Sequence, residues 1–344
     1  MELNHRLKDL RLSGIRRFTA LAKTVPGCVM FTLGEPEFDT PRPIVDSCIR
    51  AMEEGRTHYT ENRGSRDLRR AIAAFEQKNR GLSYTEDEIL VTAGATEAIY
   101  VAMTGLLNPG DEVIIPIPAF SLYDTIAKLC GAVSVPVDTS EEGFQLTGAL
   151  LEKVITPNSK LLILNSPNNP TGVVYTEENL RAIASLVLKH NLFVLSDDVY
   201  WGLGHCPTFS QFTELKDRIL SVQSFSKPYA MTGWRLGYLM AEKALMEKLT
   251  PLHGHILTCA PSMVQKAGIA ALDFDPSPMA QAYEERRSYV CKRLDAMGLP
   301  YHRPEGAFYV FPSIRHLGLG SEEFCTRLIQ EGRVATVPGT VRAA

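Results

Sequence analysis

The most informative segment of the chain is Ser224-Phe225-Ser226-Lys227-Pro228-Tyr229-Ala230-Met231-Thr232-Gly233-Trp234-Arg235-Leu236-Gly237-Tyr238. It follows an apolar run at 219–223 that predicts a buried strand. A lysine directly after such a strand, with serines before it and an arginine after it, indicates an anchor for a phosphate-bearing aldehyde cofactor. In this hypothesis Lys227 forms a Schiff base. Arg235, Ser224 and Ser226 would hold the phosphate. A lone lysine after a strand is more commonly a solvent-exposed residue, so the rest of the chain has to decide.

Outward from this stretch, helical segments alternate with short apolar runs between about residues 64 and 240. This alternation predicts a mostly parallel sheet flanked by helices. The predicted strands are 88–92, 112–115, 133–137, 161–165, 192–196, 219–223 and 235–239, and helical spacing recurs at 65–79, 96–107 and 177–190. From about 242 onward the pattern predicts helices near 242–253, 262–272, 276–297 and 321–331, with an alternating strand at 306–311. We therefore expect an α/β fold with a large domain at 45–245 and a smaller α+β domain formed by 1–44 and 246–344.

Composition excludes several classes of protein. The chain has 344 residues, 45% hydrophobic and 22% charged, as expected for a folded protein of about two domains. The net charge of −3 argues against a nucleic-acid partner, and no apolar stretch approaches the roughly 18 residues that span a bilayer. We therefore expect a cytoplasmic protein without a membrane partner. The seven scattered cysteines predict reduced thiols, and the dispersed histidines predict no metal site.

Two strand ends supply further candidate ligands. The segment 91–98 runs from a strand into a helix, where free backbone N–H groups bind phosphate and Gly94 allows a close approach. A helix cap by Thr96 explains this segment equally well. Asp197 ends another strand, where a buried carboxylate would keep a pyridine nitrogen protonated. Tyr200 would bond the phenolic oxygen of the same ring. A helix cap and a packed tyrosine are the alternative interpretation of this segment.

Two more strand ends lead to the same edge of the sheet. The turn Asn165-Ser166-Pro167-Asn168-Asn169-Pro170-Thr171-Gly172 follows one of them, and its Asn169 would donate to the phenolic oxygen. Pro116-Ile117-Pro118-Ala119-Phe120 follows another. Its Phe120 would stack on a cofactor ring, although an ordinary core position is the competing interpretation.

In this order along the chain, these motifs resemble those of the class I and II aminotransferases, which are fold type I enzymes that use pyridoxal 5′-phosphate (PLP). The resemblance rests on Ser224-Phe225-Ser226-Lys227, Gly233-Trp234-Arg235-Leu236-Gly237, Asn169-Pro170-Thr171-Gly172, Asp197 to Tyr200 and Gly94-Ala95-Thr96. It covers nearly the whole chain, from Gly34-Glu35-Pro36 to Val337-Pro338-Gly339.

The resemblance implies a role for each matching residue. Lys227 would be the Schiff-base lysine and proton shuttle, and Asp197 would pair with the pyridinium nitrogen. Asn169 and Tyr200 would contact the phenolic oxygen, and Phe120 would stack on the ring. The phosphate ligands would be Ala95, Thr96, Ser224, Ser226 and Arg235, joined by Tyr59 from the neighbouring subunit of a homodimer. Gly34 and Asn169 would lie beside the substrate.

The implied activity is transfer of an amino group from an L-amino acid to a 2-oxo acid. PLP-dependent carbon–sulfur β-lyases share the fold, but they usually carry histidine at the position of Tyr200. A third hypothesis is a PLP-binding protein with impaired turnover. It arises because the sequence ends soon after Val337-Pro338-Gly339, and Arg342 lies too close to that motif to match the family's arginine for the substrate carboxylate.

Overall fold

The computed structural model describes residues 2, 4–7, 14–204 and 206–342, apart from the side chains of residues 341 and 342. The helices are α1 (Gly14–Lys23), α2 (Arg42–Glu53), α3 (Arg66–Arg80), α4 (Ala95–Leu106), α5 (Leu122–Cys130), α6 (Gly148–Val154), α7 (Glu177–His190), α8 (Lys243–Ile256), α9 (Ser262–Leu272), α10 (Ser277–Ala296) and α11 (Ser321–Gly332). The strands are β1 (Val29–Met30), β2 (Ile89–Thr92), β3 (Glu112–Ile117), β4 (Val133–Asp138), β5 (Ser159–Asn165), β6 (Phe193–Asp197), β7 (Ile219–Ser224), β8 (Gly237–Met240) and β9 (Val334–Ala335). Short 3₁₀ turns connect several of these elements.

Seven strands form one sheet in the order β2-β8-β7-β6-β5-β3-β4. Only β8 is antiparallel to its neighbours, and the other pairs are parallel. Along β5, Leu161 and Ile163 pack in one core with residues of α4, whereas Leu162 and Leu164 pack in another with residues of α7. Helices therefore cover both faces, which explains the continuous apolar runs in the strands. The predicted α/β fold with a seven-stranded, mostly parallel sheet is confirmed.

Local signals set the ends of the flanking helices. The hydroxyl of Ser65 accepts a hydrogen bond from the N–H of Leu68 at the start of α3, and Gly81 ends that helix with φ +69°. The hydroxyl of Thr176 likewise caps α7, which ends at Asn191 with φ +55°. These caps explain why the helices predicted at 65–79 and 177–190 agree with the structure to within one residue.

The two ends of the described chain share a small core. Strands β1 and β9 pair in parallel as a separate two-stranded sheet. Helices α1 and α11 pack beside it, and the buried residues are Phe18, Ala22, Cys325, Ile329 and Ala335. This packing brings the first and last segments together, while the exact division into 45–245 and the remainder stays a prediction.

The strand predicted at 306–311 is wrong. Among the described residues of this region, the only sheet-like pairing is an isolated bridge between Tyr301 and Pro312. Ala307 takes φ +55°, a left-handed conformation that interrupts an extended strand. In the turn that follows Ala307, the consecutive rings of Phe308 and Tyr309 both pack against Tyr200.

None of the helices in the described parts of the chain is long and apolar enough to cross a bilayer. All seven cysteines lie within the described residues and have free thiols, as their scattered spacing predicts.

A candidate active site at the carboxyl edge of the sheet

The sequence motifs meet at one edge of the large sheet. Strands β3, β5, β6 and β7 run parallel, so their carboxyl ends lie on the same side. Gly237, at the start of the antiparallel β8, pairs with Ser224 on one side and with Thr92 on the other. This register brings the segments after β2 and β7 beside those after β5 and β6. Open α/β sheets bind ligands at this edge.

Lys227 lies just beyond β7 with its amine turned inward. Its Nζ donates a hydrogen bond to the Gly34 carbonyl oxygen over 2.5 Å. The same nitrogen lies 5.9 Å from the ring centre of Tyr200 and 5.6 Å from that of Phe308. Burial lowers the pKa of Lys227 to about 8, against an opposing contribution from the Glu35 carboxylate. A buried amine with a lowered pKa is a better nucleophile near neutral pH than an exposed lysine.

Asp197 is the last residue of β6 and is 3% exposed. Its Oδ2 accepts a 2.5 Å hydrogen bond from the Tyr123 hydroxyl, and its Oδ1 accepts a 3.4 Å bond from the Val199 N–H. Burial raises the pKa of Asp197 to about 6, and both hydrogen bonds act in the opposite direction. The carboxylate therefore provides a buried acceptor for a cationic ring nitrogen. Sequence reasoning missed Tyr123, although its position three residues after Phe120, at the start of α5, directs it to the same edge.

Asn169 and Tyr200 lie next to each other in the site. The Asn169 Nδ2 is 3.5 Å from the Tyr200 hydroxyl oxygen. The Asn169 main-chain N–H is held by the Asn165 Oδ1 at 2.8 Å. The side-chain Oδ1 of Asn169 is buried and has no hydrogen-bond partner among the described residues. Because the oxygen and nitrogen of an amide exchange places by a flip, this orphaned end can present either a donor or an acceptor to a ligand. An unpaired buried amide end fits a binding site better than a packed core.

Tyr309 lies beside this pair, although no sequence motif points to it as a site residue. Its hydroxyl oxygen lies 2.6 Å from that of Tyr200, and the two rings meet nearly at right angles. A Cβ added at Gly34 would come within 2.3 Å of the same hydroxyl oxygen. Tyr309 thus explains why position 34, whose carbonyl accepts the hydrogen bond from Lys227, is a glycine. Tyr309 also brings the segment after α10 into the site.

The proposed phosphate ligands form a cradle at the start of α4. Gly94 caps this helix with φ +81°, and the first N–H groups of a helix have no partners within it. A Cβ at Gly94 would approach an Arg235 guanidinium nitrogen to 2.3 Å, so only glycine lets this arginine lie over the turn. Arg235 also donates to the Ala93 carbonyl oxygen over 3.3 Å. A cavity of about 360 Å³ opens here, lined by Ala93, Thr96, Glu97, Tyr100, Leu122, Arg235 and Ile256.

The remaining candidates fall into two groups. Ser224 and Ser226 are buried at the end of β7, where the Ser226 N–H donates to the Ser224 hydroxyl over 3.1 Å. Phe120 follows β3 and contacts Tyr123 edge-on at 6.0 Å. Tyr59 differs from all of these, because it projects from the segment between α2 and α3 with 85% of its surface exposed. The side chain of Arg342 lies outside the described residues.

The cradle and the deeper groups together fit a phosphorylated pyridine aldehyde. A guanidinium and a helix start suit the phosphate, a buried carboxylate suits a protonated ring nitrogen, and an inward-facing amine suits the aldehyde. The fold and this set of groups define an enzyme of the fold type I class, with a lysine-centred site at the edge of the sheet.

Comparison with known proteins identifies the family. Residues 26–343 match the family model described as "Aminotransferase class I and II". A Bacillus subtilis protein named as a probable N-acetyl-LL-diaminopimelate aminotransferase is 40% identical over 98% of this chain and 87% of its own length. An aromatic-amino-acid aminotransferase of Thermococcus litoralis is 38% identical over 99% of this chain and 90% of its own. A solved aspartate aminotransferase of Thermotoga maritima superposes with a TM-score of 0.95 at 34% identity, over 99% of this chain and 92% of that one. The chain belongs to the class I and II aminotransferases, and these relatives favour transamination over the lyase alternative.

Proposed function

We propose that this aminotransferase binds PLP at the carboxyl edge of its sheet, attached through Lys227, and transfers an amino group from an L-amino acid to a 2-oxo acid. The observation that carries the proposal is the half-buried Lys227, whose Nζ donates a hydrogen bond to the Gly34 carbonyl oxygen and whose pKa is lowered by burial to about 8. When bound, PLP supplies an electron sink for the electron pair left on the substrate α-carbon.

Each residue of the site has a separate proposed role. Lys227 Nζ would bind the cofactor, and after release it would accept and return the substrate α-proton, for which a pKa near the working pH is suited. Asp197 would hold the ring nitrogen in its protonated form, with Tyr123 orienting its carboxylate. Asn169 and Tyr200 would bind the phenolic oxygen, and Phe120 would stack on the ring.

The phosphate would be held separately from the reacting atoms. Ala95 and Thr96 supply backbone N–H groups at the start of α4, and Arg235 lies over them. Ser224 and Ser226 add hydroxyl groups from the end of β7. This arrangement fixes the cofactor at one end and leaves the face beside Gly34 and Asn169 for the substrate.

We also propose a homodimer in which Tyr59 reaches the phosphate of the partner subunit. Tyr59 is 85% exposed, which is unusual for an aromatic side chain without a partner. Apolar side chains are also exposed at the mouth of the phosphate cavity, where Tyr100 and Ile256 line the opening. Light scattering should give a dimer. Tyr59→Ala should weaken PLP binding in that dimer, and a monomeric protein with unchanged binding would contradict the proposal. Cytoplasmic location and the absence of nucleic-acid partners stay predictions.

The function is tested by adding PLP to the apoprotein and following the absorbance of lysine-bound PLP. A panel of amino donors with 2-oxoglutarate or pyruvate then shows which amino acid removes that absorbance. The panel should include aspartate, aromatic amino acids and N-acetyl-LL-diaminopimelate, because relatives are named for them. We expect Lys227→Ala to abolish both signals, and Lys153→Ala on the exposed face of α6 to change neither. Pyruvate and ammonia released from a cysteine conjugate without an acceptor would instead show a lyase.

A further inference from the structure

A buried pair of ionisable side chains lies directly behind the phosphate cradle, and none of the roles proposed above uses it. The pair consists of Glu97 on α4 and His253 on α8, with His253 Nε2 3.6 Å from Glu97 Oε1. The His253 side chain is 0% exposed and that of Glu97 is 10% exposed. Both ring nitrogens of His253 and the Oε1 of Glu97 lack a hydrogen-bond partner in the part of the chain that the structure describes. Three unsatisfied polar atoms in one place are costly in a protein interior, so they call for an explanation.

Glu97 connects this pair to the cradle. Its other oxygen, Oε2, accepts a 2.5 Å hydrogen bond from the Ala93 N–H. The carbonyl oxygen of Ala93 in turn accepts the bond from Arg235. Ala93 is therefore hydrogen-bonded on both sides, through its N–H to the Glu97 carboxylate and through its carbonyl oxygen to the Arg235 guanidinium. Gly94, Ala95 and Thr96 follow at once, so any movement of Ala93 displaces the N–H groups that face the cavity.

The packing of α8 on α4 holds His253 in place. A Cβ added at Gly105 of α4 would come within 2.2 Å of a Leu249 methyl group, so the two helices approach each other closely at this glycine. A Cβ at Gly254 would lie 2.4 Å from the Asn62 amide nitrogen, which shows equally close packing on the other side of α8. These close contacts hold the helix that carries His253 against α4. A shift of a few tenths of an ångström in either side chain would bring the imidazole and the Glu97 carboxylate within hydrogen-bond distance.

We propose that His253 is a positioning residue for the cofactor phosphate and acts through Glu97. A buried carboxylate oxygen without a neighbouring donor tends to turn toward water. In turning, the Glu97 carboxylate would loosen its hold on the Ala93 N–H. With the imidazole beside it, Glu97 keeps the turn and Arg235 in the arrangement that receives a phosphate dianion. This inference rests on the proposed function, because it assigns His253 and Glu97 to the phosphate end of the same site.

The test compares the binding of PLP with that of pyridoxal, which has the same ring and aldehyde but no phosphate. Both ligands are titrated by absorbance into the wild-type apoprotein and into His253→Phe, His253→Gln and Glu97→Gln. His255→Phe is the matched control, because it makes the same change on an exposed histidine of the same helix. Melting curves of each apoprotein report folding independently of the ligand.

We expect His253→Phe and Glu97→Gln to raise the Kd for PLP by about tenfold, or about 1.4 kcal/mol, and to leave the Kd for pyridoxal unchanged. The double variant should lose little more than either single variant, because both act on one contact. His253→Gln, which can still donate to Glu97, should retain most of the affinity. If His253→Phe does not fold, His253→Gln and Glu97→Gln carry the test.

Two results would overturn the inference while leaving the proposed function intact. One is a Kd for PLP that matches the wild type in both His253→Phe and Glu97→Gln. The other is an equal loss of PLP and pyridoxal binding, which would assign the pair a purely structural role. A wild-type protein that binds no PLP at all would instead refute the proposed function, and this inference with it.

Discussion

Tyr123→Phe should move the pH dependence of cofactor binding to higher pH. The Tyr123 hydroxyl donates to the Asp197 carboxylate over 2.5 Å in a fully buried position. That hydrogen bond holds the pKa of Asp197 down, against burial, which raises it to about 6. Because the bond stabilises the ionised carboxylate, its removal makes Asp197 harder to ionise. The substitution removes one oxygen atom and keeps the ring, so little else changes.

The magnitude follows from the kind of bond that is lost. A hydrogen bond to a charged group contributes about 1.5–3 kcal/mol, and 1.36 kcal/mol corresponds to one pH unit. The midpoint for ionisation of Asp197 in the apoprotein should therefore rise by about one to two pH units. With a midpoint near pH 6, roughly nine tenths of the wild-type carboxylate is ionised at pH 7. In Tyr123→Phe that fraction falls to between about half and a tenth.

The assay is the Kd for PLP measured from pH 5 to pH 9 on the apoprotein. Because the proposed partner of the ring nitrogen is the ionised carboxylate, the wild type should lose affinity below about pH 6, and Tyr123→Phe should already lose it below about pH 7–8. Tyr301→Phe is the matched control, since its hydroxyl also donates to a carboxylate, that of Asp295, at 2.9 Å. Asp295 lies near the end of α10 and Tyr301 just after that helix, so this pair is outside the sheet edge. Identical profiles for Tyr123→Phe and Tyr301→Phe would refute the role given to this hydrogen bond.

Two further substitutions test other parts of the account. Arg80→Met leaves the buried carboxylates of Glu76 and Asp198 without their cation, so urea unfolding should show a loss of about 3–5 kcal/mol; a loss below 1 kcal/mol would contradict this. Gly94→Ala places a methyl group 2.3 Å from an Arg235 nitrogen in a left-handed turn. It should weaken PLP binding at least tenfold while pyridoxal binding is retained, and equal loss of both ligands would argue against a phosphate cradle.

Much of the fold follows from the sequence because its signals are local. The strand predicted at 161–165 and the helix predicted at 65–79 depend on neighbouring residues, and the structure has β5 and α3 there. The segment 306–311 shows where local reasoning fails. Its alternation satisfies a strand pattern, but among the described residues it pairs with no strand. The φ of +55° at Ala307 turns the chain, and the rings of Phe308 and Tyr309 meet Tyr200.

The candidate site also contains residues that local sequence signals predict and residues that they do not. Lys227, Asp197, Asn169 and Arg235 follow strand ends, so the rule that parallel strands end at one edge brings them together. The partners of these residues could not be predicted by that rule. Tyr309 comes from a distant segment and touches Tyr200 only because of tertiary packing.

His253 and Glu97 show a further limit. No sequence motif assigns a role to either residue, and the histidines are dispersed along the chain. Only the close approach of α8 to α4 at Gly105 makes the two side chains a buried pair. Contacts between helices far apart in sequence depend on shape, which a single sequence does not display.

The most direct test of the central claim is to locate the covalent attachment of PLP. The protein is incubated with PLP, reduced with borohydride and digested with trypsin, and the modified peptide is identified by mass spectrometry. We expect one predominant modification, on Lys227, which is lost in Lys227→Ala. Modification of surface lysines alone, or an unmodified Lys227 in protein that shows the absorbance of lysine-bound PLP, would contradict it.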